Sequence, residues 1–69
     1  MRYAIVIEKA QNNYSAYVPD LFGCVATGKT VEEIEREIQE AIAFHLEGLR
    51  DFGLPIPEAT SLCDYVEVV

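Results

Sequence analysis

Residues 23–30 read Gly-Cys-Val-Ala-Thr-Gly-Lys-Thr, and these letters satisfy G-x-x-x-x-G-K-[ST] at every fixed position. In a phosphate-binding loop the pattern has a mechanism. Glycines let the backbone curl, successive N–H groups cradle phosphate, the lysine reaches the outer phosphates and the hydroxyl meets magnesium. Here the four variable positions are Cys24-Val25-Ala26-Thr27, which suit a strand better than an anion nest. Glu32, Glu33 and Glu35 crowd the helix start that follows, where a bound phosphate would meet repulsion. The nearest candidate for a magnesium-binding strand end, Ala16-Tyr17-Val18-Pro19-Asp20, is interrupted by Pro19, which cannot donate a ladder hydrogen bond. The stretch reads as a strand followed by a capped helix, and no nucleotide cofactor is expected.

Other reactive side chains are sparse. His45 is a lone histidine within an apolar helical stripe. Without a second histidine or a nearby carboxylate in sequence it makes a poor metal site, and a half-buried packing or interface role is expected. A Cys24–His45 thiol dyad has no third, orienting group. Cys24 and Cys63 are too few for a disulfide framework and their spacing does not suggest zinc. No catalytic, cofactor-binding or metal-ligating residue is assigned, and an enzyme is not expected.

The elements that carry these residues follow from local patterning. Residues 2–9, Arg-Tyr-Ala-Ile-Val-Ile-Glu-Lys, put Tyr3, Ile5 and Ile7 on one face of a first strand. Gln11-Asn12-Asn13 is a turn, residues 14–18 a second strand, and residues 23–28 a short third strand bracketed by glycines. Thr30-Val31-Glu32-Glu33 has the form of a capping box. Val31, Ile34, Ile38, Ala41, Ile42, His45, Leu49 and Phe52 then recur at helical spacing, so a helix is expected from Val31 to Phe52. Gly53 is its left-handed stop, followed by Pro55. Glu32 with Arg36 and Arg36 with Glu40 are i,i+4 pairs on the opposite, solvated face. After a loop, Leu54 to Ser61, a last strand is expected at residues 63–69.

The order β-β-β-α-β predicts a two-layer α+β domain, a three-stranded antiparallel meander with one helix on one face. A right-handed crossover places the fourth strand beside and parallel to the first, in the order 3-2-1-4. This order is the opening of a ribonuclease-H-like fold, but Glu8 and Asp64 fall at opposite ends of neighbouring strands, so they cannot share a catalytic metal ion.

Sixty-nine residues make one domain, residues 1–69. Twelve acidic residues against five basic ones give a net charge of −7, which repels nucleic acid and anionic lipid and suits a basic partner. The apolar run before Glu8 is too short for a signal peptide or a membrane span, and a cytoplasmic protein with reduced thiols is expected. So small a core, with no disulfide or metal, favours a homodimer or larger assembly. Its interface is expected at a sheet edge or the uncovered sheet face.

Val18-Pro19-Asp20-Leu21-Phe22-Gly23, then Gly28-Lys29-Thr30 with an acidic helix start, and Gly53-Leu54-Pro55-Ile56-Pro57 after the helix resemble the N-terminal domain of the HicB antitoxins of bacterial toxin–antitoxin pairs. The resemblance covers essentially the whole chain, with Phe22 standing where proline is usual. It implies a HicB-like, partial ribonuclease-H-like fold and a non-enzymatic inhibitor. The implied partner is a HicA-like toxin, a small basic ribonuclease that cuts messenger RNA using a histidine, with its RNA surface and catalytic histidine covered by the antitoxin. Many HicB proteins continue into a ribbon-helix-helix or helix-turn-helix segment. This sequence stops after its last expected strand, so no C-terminal DNA-binding domain and no direct nucleic-acid binding are expected. The competing expectation is a solitary oligomeric module that binds another protein or a small ligand.

Overall fold

The computed structural model describes residues 1–69. Three strands, β1 (Val6–Lys9), β2 (Tyr14–Tyr17) and β3 (Val25–Gly28), precede one helix, α1 (Val31–Asp51). The sheet is an antiparallel meander in the order β1-β2-β3. Val6 pairs with Tyr17 and Ile7 with Ala16, and Ala16 and Tyr17 pair in turn with Ala26 and Val25. The helix lies on the face that carries Ile7, Ala16 and Ala26, where Ala16, Leu21, Ile34 and Ile38 are among the most buried side chains.

The connection between β2 and β3 explains the Pro-Asp-Leu-Phe-Gly run. It is two tight turns in succession: Leu21 N–H donates to the Val18 carbonyl, and Cys24 N–H to the Leu21 carbonyl, both at 3.1 Å. Pro19 takes the second position of the first turn, where a fixed φ helps. Gly23 takes the third position of the other turn, with φ at +79°, a conformation that side chains resist. Between them Leu21 is driven into the core at 1% exposure, while Phe22 stands fully exposed.

Both helix ends are built by nearby residues. Thr30 Oγ1 accepts from Glu33 N–H at 3.0 Å, as the capping-box reading requires. The return bond goes one residue further back than expected, because the Glu33 carboxylate accepts from Lys29 N–H at 3.3 Å. At the other end Gly53 has φ +68°. There Gly53 N–H donates to the Arg50 carbonyl at 3.0 Å and Leu54 N–H to the Leu49 carbonyl at 2.8 Å. That pair of bonds is a Schellman stop, which a left-handed glycine permits. Gly28 is fixed by proximity rather than by torsion, since a Cβ there would sit 3.0 Å from the Ile34 backbone nitrogen.

Four expectations need correction. β1 begins at Val6 rather than at residue 2, because its partner strand gives out: beyond Tyr17 comes Pro19, and Val18 N–H is spent on the Cys24 carbonyl. β3 begins at Val25 rather than Gly23, because Gly23 and Cys24 are consumed by the turn. The buried stripe includes Leu46, whereas Phe52 is 82% exposed as the C-cap residue. The fourth strand, parallel to the first, does not form: residues 63–69 carry no strand and make no backbone–backbone hydrogen bond to β1. Their one polar tie near it is Cys63 Sγ to the carbonyl of Ile5, the residue before β1, 3.4 Å. A strand exists only where a ladder holds it, and this segment, whose start at Cys63–Tyr65 lies near Ile5–Ile7, has none.

Candidate functional site

Seven of the twelve acidic residues lie on α1, with only Arg36 and Arg50 to offset them. On the outer surface Glu40, Phe44 and Glu47 are adjacent at i,i+4 and i,i+3 spacing, and all three are exposed. Phe44 is 78% exposed, an expensive position for a ring that has no other apolar cover. It forms one lip of a groove of about 460 Å³ between the C-terminal half of α1 and the turn into β3. Phe52 forms another lip, with Cys24, Ala41, His45 and Leu49 along the lining. The outer face thus offers a charged approach that ends in an apolar slot.

The groove brings together two residues singled out from the sequence. Cys24 and His45 both line it, but burial pushes the Cys24 thiol above its ordinary range. A nucleophilic cysteine needs the opposite shift, so the geometry makes Cys24 a packing residue. His45 is half-buried on the groove wall. No three His, Cys, Asp or Glu side chains gather as a metal-binding group. Asp64, on the segment beside β1, turns its carboxylate to its neighbour's backbone, accepting from Tyr65 N–H at 2.7 Å.

The letters that resemble a phosphate-binding loop fold as β3, a close-packed glycine and a capped helix start. The Lys29 N–H faces the Glu33 carboxylate and the Glu33 N–H faces the Thr30 hydroxyl. A phosphate there would have to displace a side chain of its own charge.

One constellation was missed by sequence reasoning. Asp20, in the first β2–β3 turn, accepts four hydrogen bonds from the returning segment. Its Oδ2 takes Thr60 N–H at 3.0 Å and Ser61 N–H at 2.9 Å. Its Oδ1 takes the Ser61 hydroxyl at 2.8 Å and the Thr60 hydroxyl at 3.2 Å. The Ser61 backbone bond, then the Ser61 hydroxyl, hold the Asp20 carboxyl below its ordinary pKa, with Thr60 adding to them. Tyr3 makes a second tie, its hydroxyl donating to the Pro57 carbonyl at 2.6 Å. Together these bonds fasten residues 57–61 across the sheet end. The available signal was the hydroxyl pair Thr60-Ser61 at the end of the loop, but nothing local says that Asp20 is its mate.

Comparison with known proteins settles the family. The sequence pattern of the HicB-like antitoxins of bacterial toxin–antitoxin systems matches residues 3–68. The chain belongs to the HicB-like antitoxin family. Among solved structures it is similar to a chain of the HicA3 and HicB3 toxin–antitoxin complex, with a TM-score of 0.72 and 35% identity over 90% of this chain and 70% of that one. Among curated relatives, an uncharacterized 14.9 kDa protein in the rep-hol intergenic region of Haemophilus phage HP1 is 36% identical over 66 residues, 96% of this chain and 50% of its own. A UPF0150 protein of Helicobacter pylori is 56% identical over 41 residues, 59% of this chain and 57% of its own. One of Thermoplasma acidophilum is 38% identical over 58 residues, 83% of this chain and 84% of its own. The chain spans about half the length of the first two. No helix is long and apolar enough to cross a membrane.

Proposed function

We propose that this HicB-like protein is a cytoplasmic antitoxin that binds a small basic HicA-like ribonuclease and neutralises it by covering its RNA-binding and catalytic surface. The observation that carries the reading is the likeness, at 35% identity and a TM-score of 0.72, to a chain of a HicA3–HicB3 toxin–antitoxin complex. The surface of α1 supports it physically. Acidic residues on the outer face attract a basic protein over roughly 8–10 Å at physiological ionic strength, and this raises the association rate more than the affinity. The affinity then rests on desolvated apolar contacts, for which Phe44 and Phe52 at the groove are the available anchors.

The test is co-expression with the neighbouring open reading frame, read by growth rescue and co-purification. Rescue with a stable complex is expected. A toxic neighbour that the chain neither rescues nor binds would overturn the reading and favour a solitary binding module. In the complex, Glu40→Lys and Glu47→Lys slow association, whereas Phe44→Ala speeds dissociation, roughly tenfold or more if the ring is a central anchor.

A further inference from the structure

The sheet has two outer strands, and they are not equally free. Cys63, Asp64 and Tyr65 lie near β1, lining one hollow with Ile5, Val6 and Ile7. β3 pairs with β2 alone. Its residues, Val25-Ala26-Thr27-Gly28, include no proline, no charge and no bulge, the devices by which natural sheets blunt an edge. Register says which backbone groups are free. Val18 N–H donates to the Cys24 carbonyl, which makes 18 and 24 a bonded pair, and bonded pairs alternate along an antiparallel ladder. Ala16 with Ala26 and Tyr14 with Gly28 are therefore the bonded pairs that follow. Val25 and Thr27 turn their N–H and C=O groups outward, and no turn, loop or cap bond engages them. We infer that this edge accepts an extended segment of a basic partner as an added strand, with one apolar side chain of that segment seated in the groove beside Phe44.

Two observations define the segment. The first is the groove. A strand laid along β3 sends alternate side chains to the α1 side. The groove of about 460 Å³ opens there, with Cys24 and Val25 on its strand wall and Ala41 and Phe44 on its helix wall. In strand addition the main-chain bonds hold the guest, and a pocket of this kind selects its side chain. The second is charge. At about 3.6 residues per turn, Glu33, Glu37, Glu40 and Asp51 fall within about 40° of Phe44 around the α1 axis, and neither Arg36 nor Arg50 does. Four carboxylates thus share the helix flank that faces the groove. Lys29, past the end of the strand, opposes them in part. The matching guest carries an apolar residue with lysine or arginine two positions to either side, all three on the α1 side of the added strand.

In the unbound chain, water satisfies the outward groups of Val25 and Thr27, and an added strand replaces that water with its own backbone. The identity of the partner rests on the toxin-binding reading, whereas the edge and the groove can be probed without a toxin.

The probe is a capped peptide, Thr-Lys-Thr-Leu-Thr-Lys-Thr, titrated into the 69-residue chain and followed by nuclear magnetic resonance. Its control has glutamate in place of both lysines. Saturable binding of the lysine peptide is expected, with amide exchange slowed at Val25 and Thr27 and little changed at Ala26 and Gly28, which already face β2. Thr27→Pro removes one outward N–H and leaves the β2 ladder intact. An unchanged far-ultraviolet circular dichroism spectrum and at least about fivefold weaker peptide binding are expected of it. Should that variant not fold, the exchange pattern of the native chain decides. Absence of binding, equal binding of the glutamate peptide, or binding without protection of Val25 and Thr27 overturns the inference. So does protection of those amides by raised protein concentration alone, because a second copy would then hold the edge. With the neighbouring toxin, a complex that leaves Val25 and Thr27 exchanging freely overturns the inference and spares the antitoxin reading. Failure to bind the toxin, with the lysine peptide bound along the edge, overturns that reading instead.

Discussion

Tyr14–Tyr17 and Cys63–Val69 are both written in strand-forming letters, two tyrosines in the first, Tyr65 and three valines in the second. Their fates differ. The first is the central strand, paired on both sides, with Ala16 at 2% exposure. The second has no regular structure, every residue exposed and no ladder bond. Strand propensity measures fit to a half-buried pleated surface, not an intrinsic preference of the backbone. The contrast shows what supplies that surface. β2 meets its partners through turns of a few residues, whereas residues 63–69 arrive after a 21-residue helix and a loop.

The sharpest way to test this contrast is to truncate one side chain in each region. Ile34→Ala removes a fully buried side chain between α1 and Gly28 and is expected to cost about 2–5 kcal/mol. Val66→Ala should change monomer stability by less than about 0.5 kcal/mol. Urea unfolding of both variants, at concentrations where the chain is monomeric, checks the pair. Similar losses would mean that the tail is packed in solution.

A smaller effect is expected at the boundary between the regions. Gly53→Ala places a Cβ at φ +68°, which costs about 1–2 kcal/mol. Because a Cβ there meets no other atom within 4 Å, the loss is torsional. Gly53→Asn should recover part of it, since asparagine tolerates the left-handed region. Thermal melts of the three proteins decide the point.

The smallest effect lies in the tie between the regions. Asp20 has a lowered pKa in the folded protein, so its contribution is complete above the ordinary aspartate range. It fades as pH falls through the folded value. Acid below about pH 4 should release residues 60–61 before the body unfolds, seen as faster amide exchange at Thr60 and Ser61. Asp20→Asn should remove that pH dependence.

What was legible in the sequence divides along the same line. The Thr30 cap, the Gly53 stop and the packing of Ile34 and Ile38 depend on residues a few positions apart, and each was readable from type and spacing, whereas the second turn around Leu21 was read as the start of β3. The family likeness was readable for the same reason, since Pro19, Gly23, Gly28 and Thr30 each fill a backbone role. Leu46 and Phe52 exchanged their expected burial because the stripe alone does not say where the covering layer stops. The Asp20 bonds to Thr60 and Ser61 were not legible, because they join residues about 40 positions apart. The groove was not foreseen: Cys24 and His45 were paired only as a thiol dyad and set aside, and its lips are Phe44 and Phe52, of which the periodic pattern placed Phe52 in the core stripe.

The ties of residues 57–61 have a consequence for the order in which the molecule assembles. The hydrogen bond from Tyr3 to Pro57 spans 54 residues and that from Ser61 to Asp20 spans 41. Closing loops of that length has an entropic cost that the hairpins and the helix avoid, growing as the logarithm of the span. In kinetic terms the meander and helix set the folding rate through local contacts. The two long ties then act as brakes on unfolding, holding residues 57–61 to Tyr3 and to the β2–β3 turn after the core has formed.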